Sequence, residues 1–369
     1  MLRCNAYDSG APRVSLVAAV VVSLGVVFFL LKSRYNYLRL PELPVCAVEQ
    51  SEDLDVTVVI PPRNEAANIA RAVKSFPGVR VIVVDDDSTD QTAELARAAG
   101  ANVIAAPRLH RGEVGKPNAC AAGAKAATSR WILFVDADTW YEPDFLRSIV
   151  RYAREQSLDM VSAFLKQRCF TWWERILLPY SLALFFTGVS TRDVNSVKKL
   201  GSLANGQCLL FRRHAYEFVG GHRLAIKSLI EDAALANAAK RHRLKCCTMR
   251  AEKLGSARTY AGWLAIWRGL EKNSFRFLSL DAWCGVQVLL ASILLASYLP
   301  IAAWMLSEGY GWPYVTPFLL LPAILLGVWY AGLAVLLAPV AIYMFQLIAL
   351  NALVSLTFDR RVIWKDRRI

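Results

Sequence analysis

Three short stretches of this chain gather carboxylates and polar groups at spacings that could do chemistry: Pro61-Pro62-Arg63-Asn64-Glu65, Asp85-Asp86-Asp87-Ser88 and Asp136-Ala137-Asp138. Each follows an apolar run, Val56–Ile60, Val79–Val84 and Trp131–Val135 respectively. Carboxylates collected at one edge of a sheet repel each other unless a cation joins them, and hard oxygen donors suit Mg2+ or Mn2+. A metal held by so few protein ligands shares its remaining positions with substrate phosphates. A plainer reading stands beside this one. Asp runs after strands also cap helices, and Ser88 or Thr89 could cap the next helix. Taken together, the three stretches favour chemistry.

The elements that must position these residues alternate between strand and amphipathic helix. Asn64–Phe76 carries Ile69, Val73 and Phe76 at helical spacing. Thr89–Ala99 is an alanine-rich helix stopped by Gly100, Asn102–Ala105 is a third strand, and another helix lies near Pro117–Thr128. Buried strands alternating with helices predict an α/β domain with a mostly parallel, doubly wound Rossmann-like sheet. Ligands of such sheets bind beyond the carboxyl ends of the strands, at the switch point of strand order.

Composition adds a membrane component. Of 369 residues 55% are hydrophobic and 20% charged, against about 45–50% and about 25% in an ordinary soluble domain. That excess is too small for an all-helical transporter and excludes a disordered chain. Net charge is +13, from 43 Lys+Arg against 30 Asp+Glu. No zinc finger, basic helix or aromatic RNA-binding strand is visible, so no nucleic-acid partner is expected. Much of the charge instead flanks apolar segments, at Lys32, Arg34 and Arg39 and at Arg360, Arg361, Lys365, Arg367 and Arg368, as cytoplasmic membrane anchoring requires. The cysteines (Cys4, Cys46, Cys120, Cys169, Cys208, Cys246, Cys247, Cys284) are scattered, which fits a reducing compartment, and four dispersed histidines give no zinc site.

Val14–Leu31 is an unbroken apolar run leading into Lys32-Ser33-Arg34. It reads as an uncleaved anchor within residues 1–40 with the downstream chain in the cytoplasm, although Arg3 and Arg13 lie upstream. Trp283–Leu306 is a second spanning run. Tyr314–Phe358 is long enough for two helices, with Gly327 to Gly332 as the turn. Two helices there would place the basic C-terminus outside, against the positive-inside bias; one crossing plus a re-entrant or interfacial helix would not. The expected organisation is therefore an anchor at 1–40, a catalytic domain at 55–280, a membrane block at 281–358 and a basic cytoplasmic tail at 359–369. Within the domain, Trp172–Ser190 reads as an interfacial helix or, alternatively, a buried one. Tyr260–Phe277 is another surface-lying candidate.

The motifs PPRNE, VVDDDSTDQT, GKPNACAAG and FVDADT over Thr57–Thr139 resemble the family 2 glycosyltransferases of GT-A fold, and NGQCLLFRRHAYEFVGGH and LIEDAALA resemble the acceptor-side half of the same domain. The resemblance covers about Asp55–Lys245. The layout, down to the closing Val362-Ile363-Trp364-Lys365-Asp366-Arg367, is similar to the membrane-anchored subgroup that includes carotenoid (4,4'-diaponeurosporenoate) and hopanoid-associated glycosyltransferases. The resemblance implies that Pro61, Arg63, Glu65 and Asp86 hold the uracil and ribose of a UDP-sugar, a carboxylate facing the uracil N3–H. It implies that Lys116 faces the nucleotide or its phosphates, and that Asp136 and Asp138 form the DxD element, Asp138 being the direct ligand of Mn2+ or Mg2+. Glu231-Asp232 matches the ED motif. Asp232 is then the general base for the acceptor hydroxyl, the plainer reading being an acidic residue favoured by the helix dipole.

His222, after Gly220-Gly221, reads as an acceptor contact or a structural histidine. The QxxRW element of processive synthases is missing; only Trp267-Arg268 resembles it, and these two residues are expected with His222 on the acceptor side, while Asp87 stands where the family usually has Gly. These residues imply an inverting, metal-dependent transfer of a single sugar from a nucleotide-sugar donor to a lipid or polyisoprenoid acceptor, at the inner membrane and facing the cytoplasm. The rival readings are a polysaccharide synthase of the same fold and a silent nucleotide-binding scaffold. A dinucleotide-dependent oxidoreductase is disfavoured, because no GxGxxG follows the first strand.

Overall fold

The computed structural model describes residues 14–46, 54–198, 202–228, 230–260, 262–278, 282–330, 332–357, 363–364 and 367–368. Arg3, Arg13 and, in the basic tail, Arg360, Arg361, Val362, Lys365 and Asp366 lie outside the described residues. In chain order the elements are α1 (Val14–Leu38), β1 (Val56–Ile60), α2 (Ile69–Lys74), β2 (Arg80–Asp85), α3 (Thr92–Ala98), β3 (Asn102–Ala105), α4 (Gly115–Ala126) and β4 (Trp131–Val135). Then come β5 (Thr139–Tyr141), α5 (Phe145–Glu155), β6 (Met160–Phe164), β7 (Lys166–Gln167), α6 (Trp172–Gly188), β8 (Cys208–Arg212), α7 (Arg213–Phe218) and α8 (Gly221–Leu224). Next are α9 (Glu231–Arg241), β9 (Cys246–Arg250), β10 (Gly255–Ala257) and α10 (Trp263–Leu278). The last described helices are α11 (Ala282–Ala296), α12 (Tyr298–Ser307), α13 (Trp312–Leu326) and α14 (Ala338–Thr357), with a 3-10 turn at Gly332–Leu337.

The chain divides into two units: residues 36–174, 190–276 and 352–369 form one, and residues 1–35, 175–189 and 277–351 the other. In the first, a seven-stranded sheet runs in the order β3-β2-β1-β4-β8-β6-β9. Pairs β1–β2, β2–β3, β1–β4 and β6–β9 are parallel, and β8 is antiparallel to both its neighbours. Strands β1, β4 and β6 are buried at every residue, which is why they read as continuous apolar runs and not as alternation. One face packs Val58, Ile60, Val83 and Leu133 against Ile69 and Val73 of α2 and Phe145 and Ile149 of α5. The other packs Val59, Ile82, Val84 and Phe134 against Ala119 and Cys120 of α4 and Leu235 and Ala239 of α9. The order reverses between β1 and β4, so the switch point lies where Val59 pairs with Phe134 and, two residues on, Pro61 meets Asp136.

A second sheet, β5-β10-β7, flanks the first. Residues 36–46 belong to this unit as well: Leu40 and Leu43 are buried, Leu43 N–H donates to Arg250 O, and the Arg250 guanidinium lies over Tyr37.

In the other unit, three stretches of helix are long and apolar enough to cross a membrane: Val14–Leu38, Trp283–Ser307 and Gly332–Ala352. A short break at Ser297 separates α11 from α12 within the second. Trp312–Leu326 is apolar but shorter, so the described residues after Trp312 form two helices, α13 and α14, on either side of residues 327–330. Within α6, Ile176, Leu177, Tyr180 and Leu184 are buried, and Tyr330 donates to the Ile176 carbonyl. Phe170 and Trp172, just before and at the start of α6, are exposed. No disulfide joins the described cysteines.

Candidate functional site

The loop after β1 and the loop after β2 are laced together at the sheet edge. Arg63 Nη1 donates to the carbonyls of Asp86 (2.8 Å) and Asp87 (3.1 Å), and Asn64 accepts from Thr89 N–H (2.8 Å) while its own N–H donates to Ser88 Oγ (3.0 Å). Glu65 N–H donates to Thr92 Oγ1, and its carboxylate accepts from Asn68. Capping by Ser88 or Thr89 is therefore not what the structure shows, because both partner Asn64. It is Asp90 that accepts from Thr92 N–H at the start of α3 (3.1 Å). The loop turns at Asp87, whose φ is +59°. A left-handed position explains a family preference for Gly there, and Asp is among the few other residues that tolerate it. Asp86 is buried at 6% exposure. Arg63, expected on the nucleotide, braces the loop that carries Asp86.

The third stretch turns immediately after β4. Thr139 donates both its N–H and its hydroxyl to the Asp136 carbonyl, and Arg258 N–H, just past β10, donates to the Asp138 carbonyl (3.0 Å), so the small sheet holds the Asp136-Ala137-Asp138 turn in place. Across the switch point, Lys116, the second residue of α4, places its ammonium 2.7 Å from Asp136 Oδ1 and 2.8 Å from Glu231 Oε1. Burial by itself would lower the pKa of this ammonium. The carboxylates of Asp136 and Glu231 outweigh burial and hold it well above the ordinary lysine value. Lys116, expected on the phosphates, thus bridges the DxD element and the acidic pair at the start of α9.

Asp232 is 4% exposed. Its Oδ2 accepts from Gly206 N–H and its Oδ1 from Ala233 N–H, both at 2.8 Å, so the helix-dipole reading and the chemical one apply to the same carboxylate. Gly206 is closely enclosed. A Cβ there would stand 3.1 Å from Lys116 Nζ and 3.2 Å from Glu231 Oε1, so a side chain would wedge open the ion cluster. The neighbouring Gln207 is fixed by Gln167, Asn205 and Thr259. Gly206, Gln207 and Arg258 carry no charge pattern that points to them from sequence; the signal available was the NGQ motif at the start of β8.

These groups line one cleft, formed by Pro61, Lys116, Cys120, Phe134, Val135, Asp136, Gly206, Leu209, His222, Glu231 and Asp232. Of the expected site residues it brings together Pro61, Lys116, Asp136, His222, Glu231 and Asp232. Arg63, Glu65, Asp86 and Asp138 sit in the adjoining loops. Trp267 and Arg268 are not among the lining residues: Trp267 packs edge-on to Trp263, which meets Trp173.

His222 closes the floor of the cleft. It is 2% exposed, with Nδ1 and its own N–H both 2.9 Å from the Tyr216 hydroxyl and its ring 4.5 Å from that of Phe134. Gly220 (φ +87°) and Gly221 (φ +52°) make the turn, and a Cβ on Gly221 would collide with the Tyr216 ring at 2.5 Å. The glycine pair therefore seats His222 on Tyr216. Burial pushes the imidazole down to about 3, opposed by Glu231 and reinforced by Lys116. Its folded pKa lies below the unfolded value near 6.5, so its contribution to stability is complete above about pH 6.5. That contribution is lost as pH falls from there toward 3, at up to about 1.4 kcal/mol per pH unit. Thermal unfolding of the detergent-solubilised chain should show this slope, and His222→Gln should remove it; an unchanged acid slope in that variant would disprove the assignment.

Among the described residues, no group of three or more His, Cys, Asp or Glu is arranged to hold a metal by itself. Asp136 and Asp138 fit a hard divalent cation in donor type but fall short of a closed site in number, as expected of a metal completed by substrate oxygens.

The chain was compared with known proteins. The family model described as glycosyl transferase family 2 matches residues 57–220. The 4,4'-diaponeurosporenoate glycosyltransferase of Staphylococcus haemolyticus (strain JCSC1435) is 30% identical over 227 residues, covering 59% of this chain and 60% of that protein. The protein of the same name from Staphylococcus aureus (strain USA300) is 30% identical over 190 residues, 50% of each. The chain thus spans between half and three-fifths of the length of these curated relatives. Among solved structures, the mannosyltransferase PcManGT from Pyrobaculum calidifontis in complex with GDP-Man and Mn2+ superposes with a TM-score of 0.56 over 94% of this chain and 98% of that one, at 16% identity. The fold is GT-A.

Proposed function

Residues 57–220 being a glycosyl transferase family 2 domain, we propose that this chain moves one sugar from a nucleotide-sugar donor, a UDP-sugar, to a lipid or polyisoprenoid acceptor at the membrane, with inversion at the anomeric carbon. The observation that carries this reading is the convergence of Asp136 and the Glu231-Asp232 pair on one cleft at the switch point of the sheet. Asp86 and the loop braced by Arg63 receive the nucleoside. Asp136 and Asp138 would hold Mn2+ or Mg2+, which when bound neutralises charge on the departing diphosphate. Lys116 bridges Asp136 and Glu231 and orients both. Asp232, fixed by Gly206 N–H, takes the proton of the acceptor hydroxyl on the opposite side of the anomeric carbon.

The three apolar helices support a multi-pass membrane protein. The basic residues at the end of the first of them favour a catalytic domain facing the cytoplasm, in the inner membrane. The curated relatives named above are glycosyltransferases of diaponeurosporenoate, an apolar acid, which supports an apolar acceptor here. The test is incubation of membranes holding the full chain with a panel of radiolabelled nucleotide sugars, with and without Mn2+. Labelled lipid from a UDP-sugar, dependent on metal, is the expected product. Water-soluble polymer as the only product would assign a synthase instead, and no transfer from any donor would assign a silent scaffold.

A further inference from the structure

The small sheet β5-β10-β7 has two unlike faces. On one, Thr139 pairs with Ala257 and Ala257 with Gln167, and the side chains of Gln167 and Thr259 both bind Gln207 beside the cleft. Strand alternation puts Trp140, Ser256 and Lys166, which share a register row, on the other face, with Arg168 and Arg258 two residues along. Side-chain contacts agree with this placement. Arg168 Nε donates to Ser256 Oγ at 3.2 Å, and the Arg71 guanidinium, reaching from α2, stacks 3.5 Å from the Trp140 ring. Four cations, Arg71, Lys166, Arg168 and Arg258, therefore share one face, and the first three are exposed. By the same alternation Asp138 and Glu142, the residues flanking β5, fall on this face, and Glu174, fully buried, is paired to Arg258 at 3.2 Å.

The chain leaving this face exposes two large rings. Phe170 and Trp172 are 57% and 51% accessible, and the Arg258 guanidinium lies 4.7 Å from the Phe170 ring. Cations interleaved with exposed aromatic rings match a lipid headgroup layer: the rings sit at headgroup depth and the cations meet phosphate. None of these six residues is among those lining the cleft.

We propose that this face docks the catalytic unit on anionic phospholipid headgroups. The proposal rests on the reading that the acceptor is dissolved in the bilayer, and it gives that reading a means. Arg258 N–H holds the Asp138 carbonyl, so headgroups seated on the basic face lie next to the DxD turn, where a membrane-dissolved acceptor must arrive.

The test is amide hydrogen exchange on the full chain in nanodiscs of phosphatidylcholine alone or mixed with phosphatidylglycerol. Because no donor is added and no turnover is read, failure here is distinct from failure of the proposed transfer. Peptides covering 166–173 should exchange about tenfold more slowly in anionic discs, and high salt should erase the difference, as expected of screened surface charge. The double variant Lys166→Ala with Arg168→Ala, at two exposed positions outside the cleft, should lose the added protection, while strand β4 keeps its own in both lipids. Equal exchange of 166–173 in the two lipids would overturn the proposal. So would protection in neutral discs on adding inorganic phosphate, which would assign the face to a small anion.

Discussion

Lys116→Met is expected to lower transfer by at least about 100-fold and to destabilise the catalytic unit by ~2 kcal/mol. Methionine keeps the length and volume of the side chain, so packing beneath α4 is preserved and the effect is that of the charge. Without the ammonium, Asp136 and Glu231, each within 2.8 Å of the same nitrogen, face each other as like charges, and one of them must take up a proton. Breaking a fully buried pair costs about 3–5 kcal/mol. Here the lysine side chain is 31% exposed and that of Asp136 27%, so solvent screens part of the loss and the smaller figure applies. Lys116→Arg keeps the charge on a wider, planar group; it should recover most of the stability and less of the rate. Thermal unfolding and steady-state kinetics on the three proteins measure both quantities. A methionine variant with unchanged Tm and turnover would remove Lys116 from the machinery.

Asp232→Asn should abolish transfer, by roughly 100- to 10,000-fold in kcat, while donor affinity survives. The amide oxygen can still accept from Gly206 N–H or from Ala233 N–H, the two bonds that hold the carboxylate at 2.8 Å. The amide nitrogen then faces a second donor where an acceptor stood, at a local cost of ~1 kcal/mol. Geometry is largely kept and basicity is lost, which separates a proton-accepting role from a structural one. Calorimetric titration with UDP should give the wild-type Kd, and kcat should collapse at unchanged KM for donor. Transfer at the wild-type rate would mean that the acceptor needs no base, as for a carboxylic acid with a pKa near 4 that is already ionised.

The amino-acid pattern matched the fold best where the signal was local. Apolar runs located β1 and β4 to the residue, because a strand buried on both faces admits little else; β3, at the sheet edge and only partly buried, was located by its place between Gly100 and Pro107. Helices α2 and α3 were longer in the pattern than in the structure. Residues 64–68 and 89–91 look helical by spacing, but they are spent on the bonds that lace the β1 and β2 loops together. Arg63 and Lys116 were legible as functional types and were assigned to the donor; only the structure gives their protein partners, the Asp86 and Asp87 carbonyls for one and Asp136 and Glu231 for the other. Gly206 and Gln207 stood inside the NGQ motif but, being uncharged, were not singled out, and Arg258 stands far from the motifs in sequence. Trp172–Ser190 allowed two readings because periodicity reports apolarity and not what covers it.

The sequence by itself determined the class of the fold, the strand ends that carry carboxylates and the apolar helices long enough for a membrane, since each depends only on hydrophobic pattern and neighbouring residues. Tertiary structure alone decided which of those charges meet. Lys116, Asp136 and Glu231 are well separated along the chain and become neighbours only because the sheet reverses its order between β1 and β4. The same holds for the basic face of the small sheet, whose cations come from α2, β7 and the residues just past β7 and β10. Electrostatic energy depends on distance through space, and the folded sheet is what sets that distance.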